Sequence, residues 1–332
     1  MPSPLSLRIA GTGTALPRHS RSSDWFDTRH GRPPGWTARH VGLQQRPLAG
    51  SDERASVLGA AAARQALAAA GWHAGELDLL VSACGVGEQA LPGTATLLHR
   101  ELGLDAHGTA ALDINSACLS FVSALDLAAC MLAAGRYRRI LIVSSEIPSA
   151  GLDWDDPDSA PLFGDGAAAV AVEAGDGRSQ LLAAHHATWS SGVELCQVRA
   201  GGTGVRLDDG IEAYARAARF AMDGQATYRL AAQKLPGFIA ELVQRAGLHP
   251  EQLDALVPHQ ASAKALTHIR RVLRLPPGLL VDILEGHGNQ MAASIPTALH
   301  TAITNGRIQR GHAIALVGTG AGLAAAGVVL RY

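Results

Sequence analysis

Aromatic side chains are scarce in this chain. Phe, Trp and Tyr make up 4% of its 332 residues, too few for the stacking platforms that hold single-stranded nucleic acid. An excess of either charge is missing as well. Twenty-eight Lys and Arg stand against 29 Asp and Glu, a formal net charge of −1, so no basic field exists to hold a phosphate backbone. The four cysteines, Cys84, Cys118, Cys130 and Cys196, never occur as C-x-x-C, which removes zinc knuckles and thioredoxin-type pairs; no metal is expected. The opening segment MPSPLSLRIAG has no basic region followed by an apolar run, and the reading is a reduced, cytoplasmic protein. Charged residues at 17% against 47% apolar exclude disorder. One uncharged stretch, Ala313 to Leu330, is long enough for a membrane span. GTGAG interrupts it and no aromatic belt flanks it, so two buried strands about a glycine turn are expected, and no membrane contact.

What the chain does have is alanine, valine, leucine and 37 glycines, in a length that accommodates two domains. Apolar runs at 77–84, 139–146, 167–173, 253–259 and 313–318 read as buried strands. Between them, Ala55–Ala70, Ser120–Ala134, Ile211–Ala246 (as more than one helix) and Ser262–Leu273 read as helices. The polar stretch from Arg18 to Gly35 reads as loop with at most one helical turn. Continuous apolar strands alternating with helices predict an α/β fold whose sheets are covered on both faces.

The chain also resembles itself. AGWHAGELDLLV (70–81) matches AGLHPEQLDALV (246–257) without a gap, CLSFVSALDLAACMLAAGR (118–136) matches NQMAASIPTALHTAITNGR (289–307), and GDGAAAVAV (164–172) matches GAGLAAAGV (320–328). Three blocks in one order indicate two duplicated halves, 1–175 and 176–332. Duplication brings equivalent elements face to face. Cys118 and Asn289 then hold equivalent positions, each immediately before an apolar helix, and His259 ends the strand that duplicates the one ending near Ala83. A helix N-terminus favours thiolate, which predicts a lowered Cys118 pKa and makes it the candidate nucleophile. Cys84, Cys130 and Cys196 read as inert core cysteines. Taken alone, His259 is a satisfied core histidine and Asn289 a turn residue; their juxtaposition with Cys118 gives them another use.

These segments resemble the ketoacyl synthase III family of the thiolase superfamily. DINSACLSF (113–121) looks like its nucleophile segment, VPHQAS (257–262) its histidine segment and HGNQMAASIP (287–296) its asparagine segment. LFGDGAAAV (162–170), MDG (222–224), GTGTALP (11–17) and VGTGAGLAAAG (317–327) also correspond, so the resemblance runs through the whole chain in order. It implies a thiolase-like αβαβα arrangement of two halves, the first carrying Cys118 and the second carrying His259 and Asn289. The implied activity is that of an acyltransferase. An acyl thioester loads Cys118, and a malonyl thioester then loses carbon dioxide while His259 and Asn289 donate hydrogen bonds to the forming enolate. The carbanion attacks the acyl-cysteine, whose oxyanion is received by the backbone N–H groups of Cys118 and Ala321. No resident cofactor is implied, because coenzyme A or carrier-protein phosphopantetheine thioesters are the substrates. The implied partners are an acyl carrier protein and a second copy of the chain.

Departures from the family pattern bear on the substrate. Trp36 stands where the family stacks adenine, but His40 replaces the arginine four residues later, with Arg39 beside it, and Pro157 replaces a second arginine. Cationic contacts to coenzyme A are thus weakened, which favours a carrier-borne donor. Ser120 replaces a glycine and Gln290 a threonine, changes expected to crowd or polarise the acyl tunnel. Leu91 matches the residue that reaches across the dimer to limit the partner's acyl pocket, and a leucine there implies a medium chain. After His259, Lys264, His268 and Arg271 fall on one helix face with Arg270 and Arg274 nearby, a basic surface suited to an acidic carrier protein. The departures point to a specialised lipid or polyketide-type pathway. They also keep open acyl transfer from Cys118 to an oxygen or nitrogen nucleophile without a carbon–carbon bond. A papain-like cysteine hydrolase has no place for the duplicated halves, and a non-catalytic subunit has no need of all three polar residues.

Overall fold

The computed structural model describes residues 4–332. The first half runs β1 (Leu5–Ser6), β2 (Arg8–Ala15), β3 (His19–Ser22), α1 (Ser23–Arg29), α2 (Trp36–Val41), β4 (Gln45–Leu48), α3 (Ala55–Ala70) and β5 (Leu79–Ser82). It continues with α4 (Thr94–Glu101), β6 (Ala110–Asp113), α5 (Ser120–Ala133), β7 (Arg139–Glu146) and β8 (Gly166–Glu173). Then come β9 (Gln180–Gly192), β10 (Cys196–Gln197), α6 (Ile211–Ala217), β11 (Ala221–Met222), α7 (Gly224–Arg245) and β12 (Ala255–Pro258). The chain closes with α8 (Ala263–Val272), α9 (Leu284–His287), α10 (Ser294–Thr304), β13 (Ala313–Gly320) and β14 (Gly322–Arg331).

Two five-stranded sheets carry the architecture, ordered β2-β8-β7-β5-β6 and β1-β9-β14-β13-β12. In the first, β8 is antiparallel to β2 and β7, while β5 is parallel to β7 and β6. In the second, β14 is antiparallel to β9 and β13, and β12 is parallel to β13. Leu280 bridges Leu256 in parallel, where β6 stands in the first sheet. β9, β14, β13 and β12 therefore repeat the pattern of β2, β8, β7 and β5. β1 is the exception: Leu5 and Ser6 leave the first half and pair with Leu181 and Gln180 at the edge of the second sheet.

Alternate residues of each strand serve opposite faces, which produces five layers. Leu80, Leu141 and Val143 pack under α3 and α4 with Leu58, Ala62 and Leu98. Leu79, Val81, Ile140 and Ile142 face the other way, onto α5 and α10, which lie between the sheets against Val257, Ile314 and Leu316. Leu256, Ala315 and Val317 complete the sandwich against α7 and α8. The layering explains the composition. A Cβ on Gly11 or Gly13 would strike the carbonyl oxygens of Ala66 and Ala62, so β2 and α3 meet backbone to backbone. Residues 313–330 form the expected antiparallel pair, and among the described residues no helix is long and apolar enough to cross a membrane.

Two expectations are corrected. The stretch from Arg18 to Gly35 contains β3 and the seven-residue helix α1. Its order comes from outside the segment: β3 pairs with β4, and Arg46 lies 3.7 Å over the Phe26 ring. The buried Asp27 carboxylate receives the N–H groups of Trp36 and Thr37 at 3.0 and 2.8 Å. Cys130 is not a core residue but lies exposed on α5.

Candidate active site

Residues 115–120 form a tight elbow between β6 and α5. Ala117, just before the candidate nucleophile, has φ +52°, a left-handed conformation that costs a residue with a Cβ about 1–2 kcal/mol. Local bonds hold it there. Asn115 Oδ1 receives the Ala117 N–H at 3.0 Å, and Ser120 Oγ donates to Ala117 O at 2.7 Å. The N–H of Leu119 goes to Ser116 O and that of Ser120 to Ala117 O, each at 3.1 Å. This local economy reverses one expectation. α5 begins at Ser120, so Cys118 lies outside the first turn, and the N–H groups of Leu119 and Ser120 are committed to carbonyls. Burial pushes the Cys118 thiol above its ordinary range, with Cys196 and Glu146 adding to the shift and its own N–H opposing it. The resting residue is a neutral thiol.

His259 follows β12, where its N–H bonds Val317 O at 2.8 Å. It is 6% exposed, its Nδ1 has no partner, and burial lowers its pKa to about 4, so the ring is a neutral donor. Gln260 fixes this turn: its amide donates to Pro258 O and Val281 O at 2.8 and 3.2 Å and receives the Ile283 N–H at 3.0 Å. Asn289 lies on a bridge with Phe163, its N–H bonded to Leu162 O at 3.0 Å and its O receiving Gly164 N–H at 3.1 Å. Asn289 Oδ1 accepts the Met291 N–H at 2.9 Å, which orients the amide. Its Nδ2 has only a long contact, 3.4 Å to Ala261 O, and remains available to an oxygen ligand. Asn289 does not sit immediately before α10, because a 3₁₀ turn over Met291–Ala293 intervenes.

The three segments meet through glycines. A Cβ on Gly318 would stand 2.8 Å from His259 Cβ and 3.2 Å from Leu119 Cδ2, so β13 is the floor between histidine and elbow. A Cβ on Gly85 would stand 3.0 Å from Met291 Cε and 3.2 Å from Ala117 C, which joins the asparagine segment to the elbow. Ala321 lies in the turn directly after Gly320, whose own Cβ would stand 3.3 Å from Ser116 O. The segments that carry Cys118, His259, Asn289 and Ala321 are thus packed together through glycines. A neutral thiol on an elbow, a neutral imidazole, an amide donor and a glycine-rich turn are the groups that thioester exchange followed by enolate stabilisation uses.

The outer residues behave less uniformly. Ser120 does not enter a tunnel: it is fully buried, receives Ser116 N–H at 2.9 Å and donates back to the elbow. Gln290 is likewise fully buried, with Nε2 donating to Asp165 O at 3.0 Å, so it packs beneath β8 instead of polarising an acyl pocket. On α2, His40 stacks on Trp36 at 4.5 Å, and Arg32, which sequence reasoning missed, places its guanidinium 4.3 Å from the same ring. Leu91 is 86% exposed. Lys264, Arg270 and Arg271 are exposed on α8, although Arg270 lies 3.9 Å from Asp282. His268 leaves the basic stripe. Flanking buried Ile269, it turns both ring nitrogens inward without partners and meets Tyr228 edge-on at 5.7 Å, in a cavity between α7 and α8 that ends at His259. Glu146 was also missed. It ends β7 fully buried, receives the N–H of Gly85 at 2.5 Å, and burial raises its pKa to about 8. A charged residue closing an apolar strand run was the available signal.

Comparison with known proteins identifies the family of the chain. Residues 112–189 match the family profile 3-oxoacyl-(acyl-carrier-protein) synthase III, and residues 243–332 match its C-terminal counterpart. The chain is 34% identical over 327 residues to the beta-ketoacyl-(acyl-carrier-protein) synthase III of Paracoccus denitrificans, covering 98% of each. The crystal structure of 3-oxoacyl-(acyl-carrier-protein) synthase III from Aquifex aeolicus superposes with a TM-score of 0.90 at 29% identity, covering 98% of this chain and all of that one. The priming β-ketosynthase of a polyketide biosynthetic pathway gives a TM-score of 0.89 at 29% identity over 99% and 97% of the two chains.

Proposed function

Because the chain belongs to the 3-oxoacyl-(acyl-carrier-protein) synthase III family, we propose that Cys118, His259 and Asn289 perform its decarboxylative condensation. The observation that carries this reading is a neutral, buried histidine beside an amide donor, across a glycine floor from a cysteine elbow. Cys118 Sγ attacks an acyl thioester, the Cys118 and Ala321 N–H groups receive the oxyanion, and the thiol of the donor leaves with the proton. The malonyl thioester then binds with its carbonyl oxygen toward His259 and Asn289. The carbon–carboxylate bond breaks, carbon dioxide leaves, and its electron pair becomes the enolate that attacks the acyl-cysteine. Collapse forms the β-ketoacyl thioester and expels the Cys118 thiolate, which takes a proton from water to restore the resting thiol. No resident cofactor takes part; the thioester arms belong to the substrates. The direct test is to supply acylated enzyme with carboxyl-labelled malonyl thioester and measure released carbon dioxide together with β-ketoacyl product. Product without carbon dioxide, as in transfer to an oxygen or nitrogen acceptor, overturns it.

The two half-reactions should respond differently to pH. Acyl loading depends on a thiol whose pKa is raised by burial, so its rate should climb through about pH 9 without levelling near neutrality. Decarboxylation depends on His259 remaining neutral, and with a pKa near 4 it should stay flat between about pH 5 and 9. A decline that sets in between about pH 6.5 and pH 5 contradicts the neutral donor.

The donor in this reading is an acyl group of medium length on an acidic carrier protein, within a specialised lipid or polyketide-type pathway. Trp36 already holds His40 and Arg32 against its ring, which supports weak use of the coenzyme A nucleotide. Exposed Lys264 and Arg271 on α8 supply the docking charge, with Arg270 beside them. Reversing both Lys264 and Arg271 to Glu should lower kcat/KM for carrier-borne acyl groups about tenfold, with a weaker salt dependence, and leave small thioesters unchanged. Equal loss for both substrates counts against docking. A homodimer is supported by β6, an outer strand with exposed residues, and by Leu91, which then limits the partner's acyl pocket. Four unpaired cysteines suit a reducing, cytoplasmic setting.

A further inference from the structure

We infer that Ser120 is a positioning residue for the nucleophile: its hydroxyl pins the elbow that presents the Cys118 thiol and the Cys118 N–H. The inference rests on the reading of Cys118 as the acyl acceptor, and it begins from an unusual distribution of bonds around Ala117. That residue holds a left-handed conformation at φ +52° with a Cβ, which the chain does not adopt unless its neighbours impose it. Both ends of its backbone are gripped by side chains. Asn115 Oδ1 takes the N–H at 3.0 Å, and Ser120 Oγ donates to the carbonyl at 2.7 Å.

Ser120 does more than grip one carbonyl. Its oxygen also accepts the Ser116 N–H at 2.9 Å and lies 3.2 Å from Cys84 O, past the end of β5. One hydroxyl therefore closes a ring that starts at Ser116, passes the left-handed residue and returns to α5. The contact to Cys84 O ties that ring to the central sheet. The hydroxyl's single proton goes chiefly to Ala117 O, with Cys84 O as a longer second acceptor, one lone pair takes the Ser116 N–H, and the side chain is fully buried. Cys118 lies inside the ring, between Ala117 and Leu119. The direction of its N–H and the placement of its Sγ follow from the Ala117–Cys118 peptide plane, and Ser120 holds the carbonyl of that same plane. Ser120 touches no reacting atom; it acts through the peptide that does.

Positioning predicts a specific kinetic signature. Ser120→Ala removes the hydroxyl, lets the peptide rotate, and should lower the single-turnover rate constant for acyl loading by about tenfold or more, with KM for the acyl thioester changed by less than about twofold. Ser120→Thr retains the hydroxyl and should recover most of that loss. Loading is followed as intact-protein mass against time, with thermal unfolding recorded so that rates refer to folded protein. Loading of Ser120→Ala at the wild-type rate overturns the inference, as does a loss confined to KM. Should Ser120→Ala not fold, amide exchange in the unaltered enzyme decides. The Ser116 N–H should be protected through the Ser120 oxygen, and free exchange there refutes the pin. Cys118→Ala is run in parallel. If it still gains acyl mass, the nucleophile assignment fails independently of Ser120.

Discussion

Replacing Cys118 with alanine will abolish acyl loading and lower condensation about ten-thousand-fold or more, the scale on which removing a covalent nucleophile acts. The expected observation is simple. After incubation with a panel of acyl thioesters, the unaltered protein gains the mass of one acyl group, and Cys118→Ala gains none. The increment also reports which acyl group is accepted. Persistence of the increment would move the covalent step elsewhere. Cys196 is the informative alternative, because it lies close enough to Cys118 to raise its pKa, and burial pushes its own thiol up to about 11. Neither thiol is preactivated. What distinguishes Cys118 is its position on the elbow, where the proposed mechanism has its own N–H and that of Ala321 receive the oxyanion. The substitution should barely affect folding, since a small, half-buried side chain is exchanged for a slightly smaller one.

The second large effect concerns the enolate. Asn289→Ala and His259→Ala should each slow carbon dioxide release from a malonyl thioester by about a hundred- to a thousandfold, or roughly 3–4 kcal/mol of transition-state stabilisation. Acyl loading of Cys118 should survive both changes. The losses should not add in the double variant, because both donors serve one oxygen. Asn289 has a second role that the experiment must separate. Its Oδ1 holds the N–H of Met291, a residue at φ +49°, so truncation also loosens the 3₁₀ turn before α10. Asn289→Asp retains that acceptor and removes the donor. It should condense no faster than the alanine variant while keeping the unfolding midpoint closer to that of the unaltered protein. Full decarboxylation in Asn289→Asp removes the amide from the mechanism.

Much of the centre was legible in order along the chain. Strands at 139–146 and 313–320 and the helix Ala55–Ala70 follow from continuous apolar runs and alanine-rich segments, patterns set by local periodicity. The internal repeats run in one order along the chain, and β9, β14, β13 and β12 carry the strand pattern of β2, β8, β7 and β5. Side-chain direction was not legible. Ser120 and Gln290 were expected to line an acyl tunnel because of what they replace, yet each turns into the protein, toward Ala117 O and Asp165 O. His268 falls on a basic face by spacing, but its ring nitrogens are buried without partners and the ring meets Tyr228 on α7 edge-on.

The sequence by itself determined the residue types at the centre, their order, the α/β class and the absence of a basic field, because these depend on composition, local periodicity and a recognisable series of motifs. Only the tertiary structure decided the protonation states and the support of the site. Cys118 carries a raised rather than a lowered pKa because burial dominates at a residue set before the first turn of α5, with Cys196 and Glu146 adding to the shift. His259 is neutral because it is enclosed, and α1 exists because Phe26 and Asp27 find Arg46 and the start of α2. Desolvation and hydrogen-bond partners are properties of what surrounds a group, and the neighbours here come from residues far apart in the chain.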